Sequence, residues 1–308
     1  MIRITSVVLL GVGLSACAAS PRTVAAPEAA PTPVPLSNPP GSPAPAVPEG
    51  GGPGVGPDAL HRWAVHDYTR PLPPVVEPPT PSLQARPGLP PSDAVVLFDS
   101  HAAQPNLDAF VGKSGDDAPW TVAGNTFHVK PDSKYIETRQ SFGDMQLHVE
   151  WKVDPQEAGD WDQKRGNSGL FFMGRYEVQI GDHLGNRTYA DGMAGAVYGQ
   201  NPPLVNAGLG LGRWQTYDII FRAPRWAEDG TLVSPADVTV LHNGLLVQDH
   251  WQLEGRTRHK KRTTFGKPHG PAPLRIQDHR DVVHFRNLWL RELPPRPVSR
   301  QVQQRVDP

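Results

Sequence analysis

Cysteine is almost missing: Cys17 is the only one in 308 residues. That excludes internal disulfides and thiolate catalysis downstream of it. Charge of one sign is missing too. Thirty Lys and Arg against 31 Asp and Glu leave a formal net charge of -1, so no global field calls for nucleic acid or an anionic membrane surface as partner. The basic run Arg256 to Lys267 is local and reads as a solvated loop. Helical periodicity is nearly absent, and no internal repeat is evident. Also lacking are a phosphate-binding Gly-rich loop, an HExxH zinc motif, a GxSxG nucleophile elbow and a helix-loop-helix calcium loop.

What is present begins with the N-terminus. Arg3 precedes an apolar run from Val7 to Leu14, too short to span a bilayer and of the length of an export signal. The ending Leu14-Ser15-Ala16-Cys17 resembles the lipobox of bacterial lipoproteins, which implies a signal peptide over 1–16 and lipidation of Cys17. The alternative is a cleaved signal with a chance cysteine. Ala18 in place of an acidic residue implies the outer membrane, by analogy with such lipoproteins. Residues 17–57 are Pro, Ala, Gly, Val and Ser with few charges and no aromatic residue, a composition that builds no core and suits a tether. A Pro-rich strap or linker over 58–92 carries Trp63 and Tyr68, the globular domain is expected over 93–293, and a loose polar tail over 294–308.

Within the domain the pattern is short strands. Met145, Leu147, Val149, Trp151 and Val153 alternate with Gln146, His148, Glu150 and Lys152, a half-buried strand. Asn243-Gly244 between two apolar runs predicts a two-residue hairpin turn. Further strands are expected at Ala94–Phe98, Thr126–Val129, Gly169–Met173, Tyr176–Ile180, Gly195–Val197, Trp214–Phe221, Asp237–Leu241, Leu245–Val247, Leu274–Gln277 and His284–Leu290. Many antiparallel strands with one apolar face each need a second layer, so the fold class is an all-β sandwich, with strand number favouring a jelly roll.

Four segments set unusual polar residues beside apolar ones: Asn167-Ser168-Gly169, Glu177 with Gln179, Tyr189 to Tyr198, and Gln277 to Asn287. Glu177, Asp278 and His279 offer oxygen and nitrogen donors suited to one divalent cation. Asn167, Gln179 and Arg286 can hydrogen-bond sugar hydroxyls or a carbonyl. Tyr189, Tyr198 and Trp214 could wall a pyranose. Each also has a structural reading: turn formation for Asn167 and Asp278, a solvated face for Glu177 and Gln179, a surface strand for His284, and a cross-sheet salt bridge to Glu177 or Glu150 for Arg286.

The ordered motifs NSGLFF, YEVQIGD, YADGMAGAVYGQNPP, RWQTYDIIFRAPRW, VTVLHNG and QDHRDVVHFRNLWLREL resemble the 3-keto-disaccharide hydrolase domain family, over about Asp93 to Leu293. The resemblance implies a concanavalin A-like jelly roll of two antiparallel sheets, a carbohydrate substrate, and cleavage of glycosides already oxidised at carbon 3. A carbonyl there acidifies the proton on carbon 2, so a base can remove it, a cation can stabilise the enolate, and the group on carbon 1 can leave before water adds. The same likeness points to Glu177 and His279 for metal binding or proton transfer, their division of roles open. Asp278 would orient His279, and Asn167, Gln179, Arg286 and Tyr198 would contact substrate. A non-catalytic carbohydrate-binding or cell-envelope module is the competing function, since this scaffold also serves lectins. The family usually continues QDH with Gly; here Arg280 follows, expected to alter the turn and either block the cleft or meet a charge.

Overall fold

The computed structural model describes residues 62–78, 84–157 and 162–296. The signal peptide, Cys17, the tether and nearly all of the tail lie outside the described residues. Fifteen strands are present: β1 Val95–Phe98, β2 Phe110–Gly112, β3 Thr121–Ala123, β4 Thr126–His128, β5 Tyr135–Phe142, β6 Met145–Val153, β7 Ser168–Phe172, β8 Tyr176–Ile180, β9 Gln215–Arg222, β10 Arg225–Trp226, β11 Leu232–Ser234, β12 Asp237–His242, β13 Leu245–Gln252, β14 Ala272–Gln277 and β15 Val283–Glu292. They build an all-β sandwich of two main antiparallel sheets, consistent with a concanavalin A-like jelly roll.

The larger sheet has eight strands, ordered β13-β12-β9-β6-β15-β4-β3, with β1 also on β15. The smaller has five, ordered β2-β5-β14-β7-β8. β15 carries β6 on one edge and shares its other edge between β4 and β1. The pairing of β15 with β6 slips between Arg286 and Trp289, where Asn287 takes a positive φ of 46°; this is a bulge that re-aims the strand. The Asn243-Gly244 hairpin forms as expected, with φ of 51° and 79°.

The period of two decides which side chains enter the core. Leu147, Val149 and Trp151 of β6 and Tyr217, Ile219 and Phe221 of β9 meet Leu170 and Phe172 of β7, Tyr176 and Val178 of β8 and Ile276 of β14. Phe172 stacks on Phe221 at 4.7 Å between centroids, and each such fully buried ring contributes about 1.5–3 kcal/mol. The Tyr217 hydroxyl crosses the core to donate to the Gln179 carbonyl at 2.8 Å. That bond ties β9 of one sheet to β8 of the other and fixes where the opposite face of β8 lies.

Candidate functional site

With Tyr176, Val178 and Ile180 in the core, Glu177 and Gln179 point outward, yet both are buried, at 4% and 1% exposure. The cover is chain that adds itself to the free edge of β8. Gln179 N–H donates to Ala196 O at 3.0 Å, Gly195 N–H to Gln179 O at 3.0 Å, and Tyr198 N–H to Glu177 O at 3.1 Å. The expected strand at Gly195–Val197 is this edge pairing, an isolated bridge of Val178 with Val197. Thr257 Oγ1 accepts from Glu177 N–H at 3.0 Å.

Register carries the outer face across the sheet in two rows. Glu177 lies opposite Phe171, Phe171 opposite Arg275, and Arg275 opposite Glu137; Gln179 lies opposite Gly169, and Gln277 opposite Tyr135. Gly169 is the bare position between these side chains. A Cβ built there would fall 2.3 Å from Glu177 Oε1, so the Glu177 carboxyl leans over the space that glycine leaves. Arg275 lies over the Tyr135 ring at 3.9 Å and pairs with Glu137 at 2.8 Å.

An amide and hydroxyl network fixes the neighbours. Gln179 Nε2 donates to Gln163 Oε1 at 2.9 Å and to Asn167 Oδ1 at 3.1 Å. Gln163 Nε2 donates to Thr188 Oγ1 at 2.7 Å, and Thr188 Oγ1 to Asp162 Oδ1 at 2.6 Å. The hydroxyls of Tyr189 and Tyr198 bond each other at 2.7 Å, and Tyr198 lies 3.4 Å from His259 Nδ1. Gln179 Oε1, Asp191 Oδ1 and Gln277 Oε1 are buried without a partner in the protein, acceptors that a ligand's hydroxyls could satisfy.

Burial alone pushes the Glu177 carboxyl up to about 8, because no cation or donor compensates its desolvated charge. Burial also pushes the Tyr198 hydroxyl up to about 12, and the Glu177 and Asp191 carboxylates add to that. A carboxyl that titrates near neutrality, beside a neutral phenol and seated in the space that Gly169 leaves, can accept and return a proton.

Four residues singled out in the sequence therefore come together here: Glu177, Gln179, Asn167 and Tyr198. The others do not join them. Arg286 lies on the outer face of the larger sheet, where its Nε meets Glu150 Oε2 at 2.7 Å and its guanidinium covers the Trp214 ring at 4.1 Å. Of the two cross-sheet partners considered, it is Glu150 that it finds. Glu150 also accepts from Gly88 N–H and Asn287 Nδ2, so Arg286 is held in a buried ion pair on the other sheet, apart from Glu177. Trp214 stands there with it.

Asp278 makes a turn: its Oδ2 accepts from Lys134 N–H at 2.7 Å and its Oδ1 from Arg280 N–H at 2.7 Å. Its side-chain hydrogen bonds go to Ser133, Lys134 and Arg280, and none of them to His279. His279 is exposed past the end of β14. It stands four positions beyond Arg275, which is two strands from Glu177; that is about 13 Å along the sheet and about 10 Å across it. A cation shared by Glu177, Asp278 and His279 does not fit this register. Among the described residues no group of three or more His, Cys, Asp or Glu could hold a metal ion. Arg280 takes a left-handed backbone, φ 82°, and meets a charge, Asp132 Oδ1 at 2.9 Å.

Residues not singled out from the sequence complete the neighbourhood: Gln163, Thr188, Asp162 and His66, whose ring stacks on Tyr189. Gly169 was visible as the start of an expected strand; the signal that could have given it a role is a glycine opposite one buried polar side chain, Gln179, and diagonal to another, Glu177. A surface depression of about 430 Å³ lined by Gly112, Lys113, Ser114, Asp116, Asp117, Pro119 and Ser133 includes none of these groups.

Comparison with known proteins bears on what such a site serves. Residues 93–291 match the family described as a 3-keto-alpha-glucoside-1,2-lyase-like domain. A crystal structure from Parabacteroides distasonis, described as a candidate glycosyl hydrolase, is 38% identical with a TM-score of 0.64, covering 79% of this chain and 99% of its own. A second from that organism, described in the same words, is 19% identical with a TM-score of 0.45, covering 61% and 90%. No curated protein matches the chain.

Proposed function

The chain belongs to the 3-keto-alpha-glucoside-1,2-lyase-like domain family, and from that premise we propose that it cleaves glycosides oxidised at carbon 3 by elimination followed by hydration. The observation that carries the reading is Glu177: a buried carboxyl with a pKa of about 8, leaning over the space left by Gly169. Its carboxylate takes the proton from carbon 2, and the electron pair moves onto the oxygen at carbon 3. That enolate then re-forms the carbonyl as the bond from carbon 1 to the glycosidic oxygen breaks, leaving a double bond between carbons 1 and 2. The departing oxygen takes a proton from the Tyr198 hydroxyl, which the Tyr189 hydroxyl supports by hydrogen bonding. Water then gives its hydroxide to carbon 1 and its proton back to Tyr198, while Glu177 returns its proton to carbon 2, so the net reaction is hydrolysis.

Asn167 and Gln179 orient the ring, Gln179 through its unpartnered Oε1. A base whose pKa lies near the working pH combines availability with driving force; with a value of about 8, roughly a tenth of Glu177 is ionised at pH 7. One carboxyl and a phenol replace the paired carboxylates of ordinary glycosidases. Lipidation of Cys17 would hold the enzyme at the bacterial cell envelope, at the outer membrane, with residues 17–57 as tether.

The test is incubation of the purified chain with 3-keto-sucrose and 3-keto-trehalose, with and without chelator, following released monosaccharide. Turnover that Glu177→Gln abolishes is expected. Binding of these sugars without turnover would replace the enzyme by a carbohydrate-binding module. Envelope attachment is checked by labelled-palmitate incorporation, which Cys17→Ser should remove.

A further inference from the structure

The strap ahead of the family domain reaches the tyrosines beside Glu177. Trp63 O accepts from Arg262 Nη2 at 2.9 Å, and Tyr68 Oη donates to Asp162 Oδ2 at 2.6 Å. His66 N–H donates to Asp191 Oδ2 at 3.1 Å. Farther along, Val76 N–H donates to Asn206 O and Asn206 N–H to Pro74 O, at 3.0 and 2.9 Å. The strap is thus pinned to the chain that covers β8, and residues 62–76 lie before the matched span of 93–291.

The strap sets one side chain among the tyrosines. The His66 ring stacks on Tyr189 at 4.0 Å between centroids and 16° between planes, and meets Tyr198 edge-on at 5.0 Å. His66 is 7% exposed, and both of its ring nitrogens are buried with no hydrogen-bond partner. Gly199 approaches Nε2 closely without a side chain: a Cβ there would stand 3.6 Å from it. A phenylalanine would give the same stack without desolvating two polar atoms. His66 has a φ of 61°, a left-handed backbone that His adopts more readily than Phe. Two orphaned polar atoms on one buried ring mark a position that a ligand would complete.

We propose that His66 is a substrate-binding residue of the Glu177 cleft, supplied by the strap from outside the family domain, with its neutral imidazole donating to one sugar hydroxyl and accepting from another. The chemistry selects the ligand class: vicinal hydroxyls of a glycoside can give and take hydrogen bonds, as the two nitrogens of a neutral imidazole require. Burial, with His259 and Lys260 nearby, holds the ring down to about 4, so it stays neutral in use. The inference rests on the reading that this cleft is the sugar site.

In the full chain, His66→Phe keeps the stack on Tyr189 and removes both nitrogens. Its KM for a 3-keto-glycoside should rise about tenfold, the loss of one good hydrogen bond, with kcat within about threefold. His66→Asn, at home in the left-handed region, should restore KM to within about threefold. Wild-type KM in a folded His66→Phe protein would overturn the proposal. If no 3-keto-glycoside is turned over, the enzymatic reading fails separately, and the ring proton and carbon resonances of His66 during titration with methyl α-D-glucopyranoside decide. A saturable shift supports the binding role, and resonances that do not move overturn it.

Discussion

Replacing Glu177 by Gln should make the protein more stable in alkaline solution while ending its catalysis. The carboxyl is fully buried, and its pKa of about 8 lies far above its ordinary 4.5. The folded state therefore holds a proton that the unfolded chain releases. Between about pH 4.5 and 8 the unfolded state binds fewer protons, so stability falls as pH rises, by about 1.4 kcal/mol per pH unit, and levels off above 8. The whole penalty is on the order of 5 kcal/mol. Glutamine has nearly the same shape and no charge, so the variant escapes it. The quantity to follow is the difference in unfolding free energy, variant minus wild type, from urea titrations at pH 5, 7 and 9. Taking the difference cancels the other titrating groups, His148 among them, which Asp218 and Glu150 raise to about 9 against its burial. The difference should grow by several kcal/mol from pH 5 to 9, and activity should drop by about 10² to 10⁴, the range for a lost general base. A difference constant to within about 1 kcal/mol would refute the buried, uncompensated carboxyl and the role built on it.

Gly169→Ala should lower kcat/KM by about a hundredfold, because its Cβ would overlap Glu177 Oε1 at 2.3 Å and an ångström of displacement is costly in a reacting group. Gly270→Ala, which meets nothing within 4 Å, is the control and should leave kinetics unchanged. Arg280→Gly should raise the unfolding free energy by about 0.5–1 kcal/mol, since it relieves φ 82° and gives up only an exposed ion pair; a loss in urea titration would count against strain at that turn. Arg286→Met should cost about 3–5 kcal/mol by leaving Glu150 charged and under-compensated, with kcat and KM of the folded fraction unchanged; a selective loss of kcat would return Arg286 to the site.

The sandwich was legible where alternation was strong. β6 and β8 have the bounds that their apolar period assigns, and the Asn243-Gly244 turn was visible from its chemistry. β5 was not, because Glu137, Thr138, Arg139, Gln140 and Ser141 make it read as polar chain. Thr138 is nevertheless 1% exposed, its hydroxyl bonded to Gln140 O and Leu274 N–H, and neighbouring strands supply what its composition lacks. At the candidate site, local motifs singled out Glu177, Gln179, Asn167 and Tyr198, which the fold brings together. Whether distant segments meet is a matter of register. The run from Gln277 to Asn287 looked like one polar cluster, but β15 carries Arg286 into the other sheet while His279 stays at the end of the first. The strap could not be tied to the cleft from sequence, since nothing in its spacing names the tyrosines that His66 packs on.

The pairing of β1 with β15 has a consequence for how the chain reaches its native state. Val95 sits opposite Leu290, so the first strand of the sandwich closes on the last, and β15 also carries β6 and β4. Contacts of such sequence separation pay loop-closure entropy before they return any stability, which makes folding slow. A nascent chain ending short of Val283 lacks the strand in the middle of the larger sheet. Assembly therefore waits for the final segment, and until then the apolar faces of β4 and β6 stay open to chaperones.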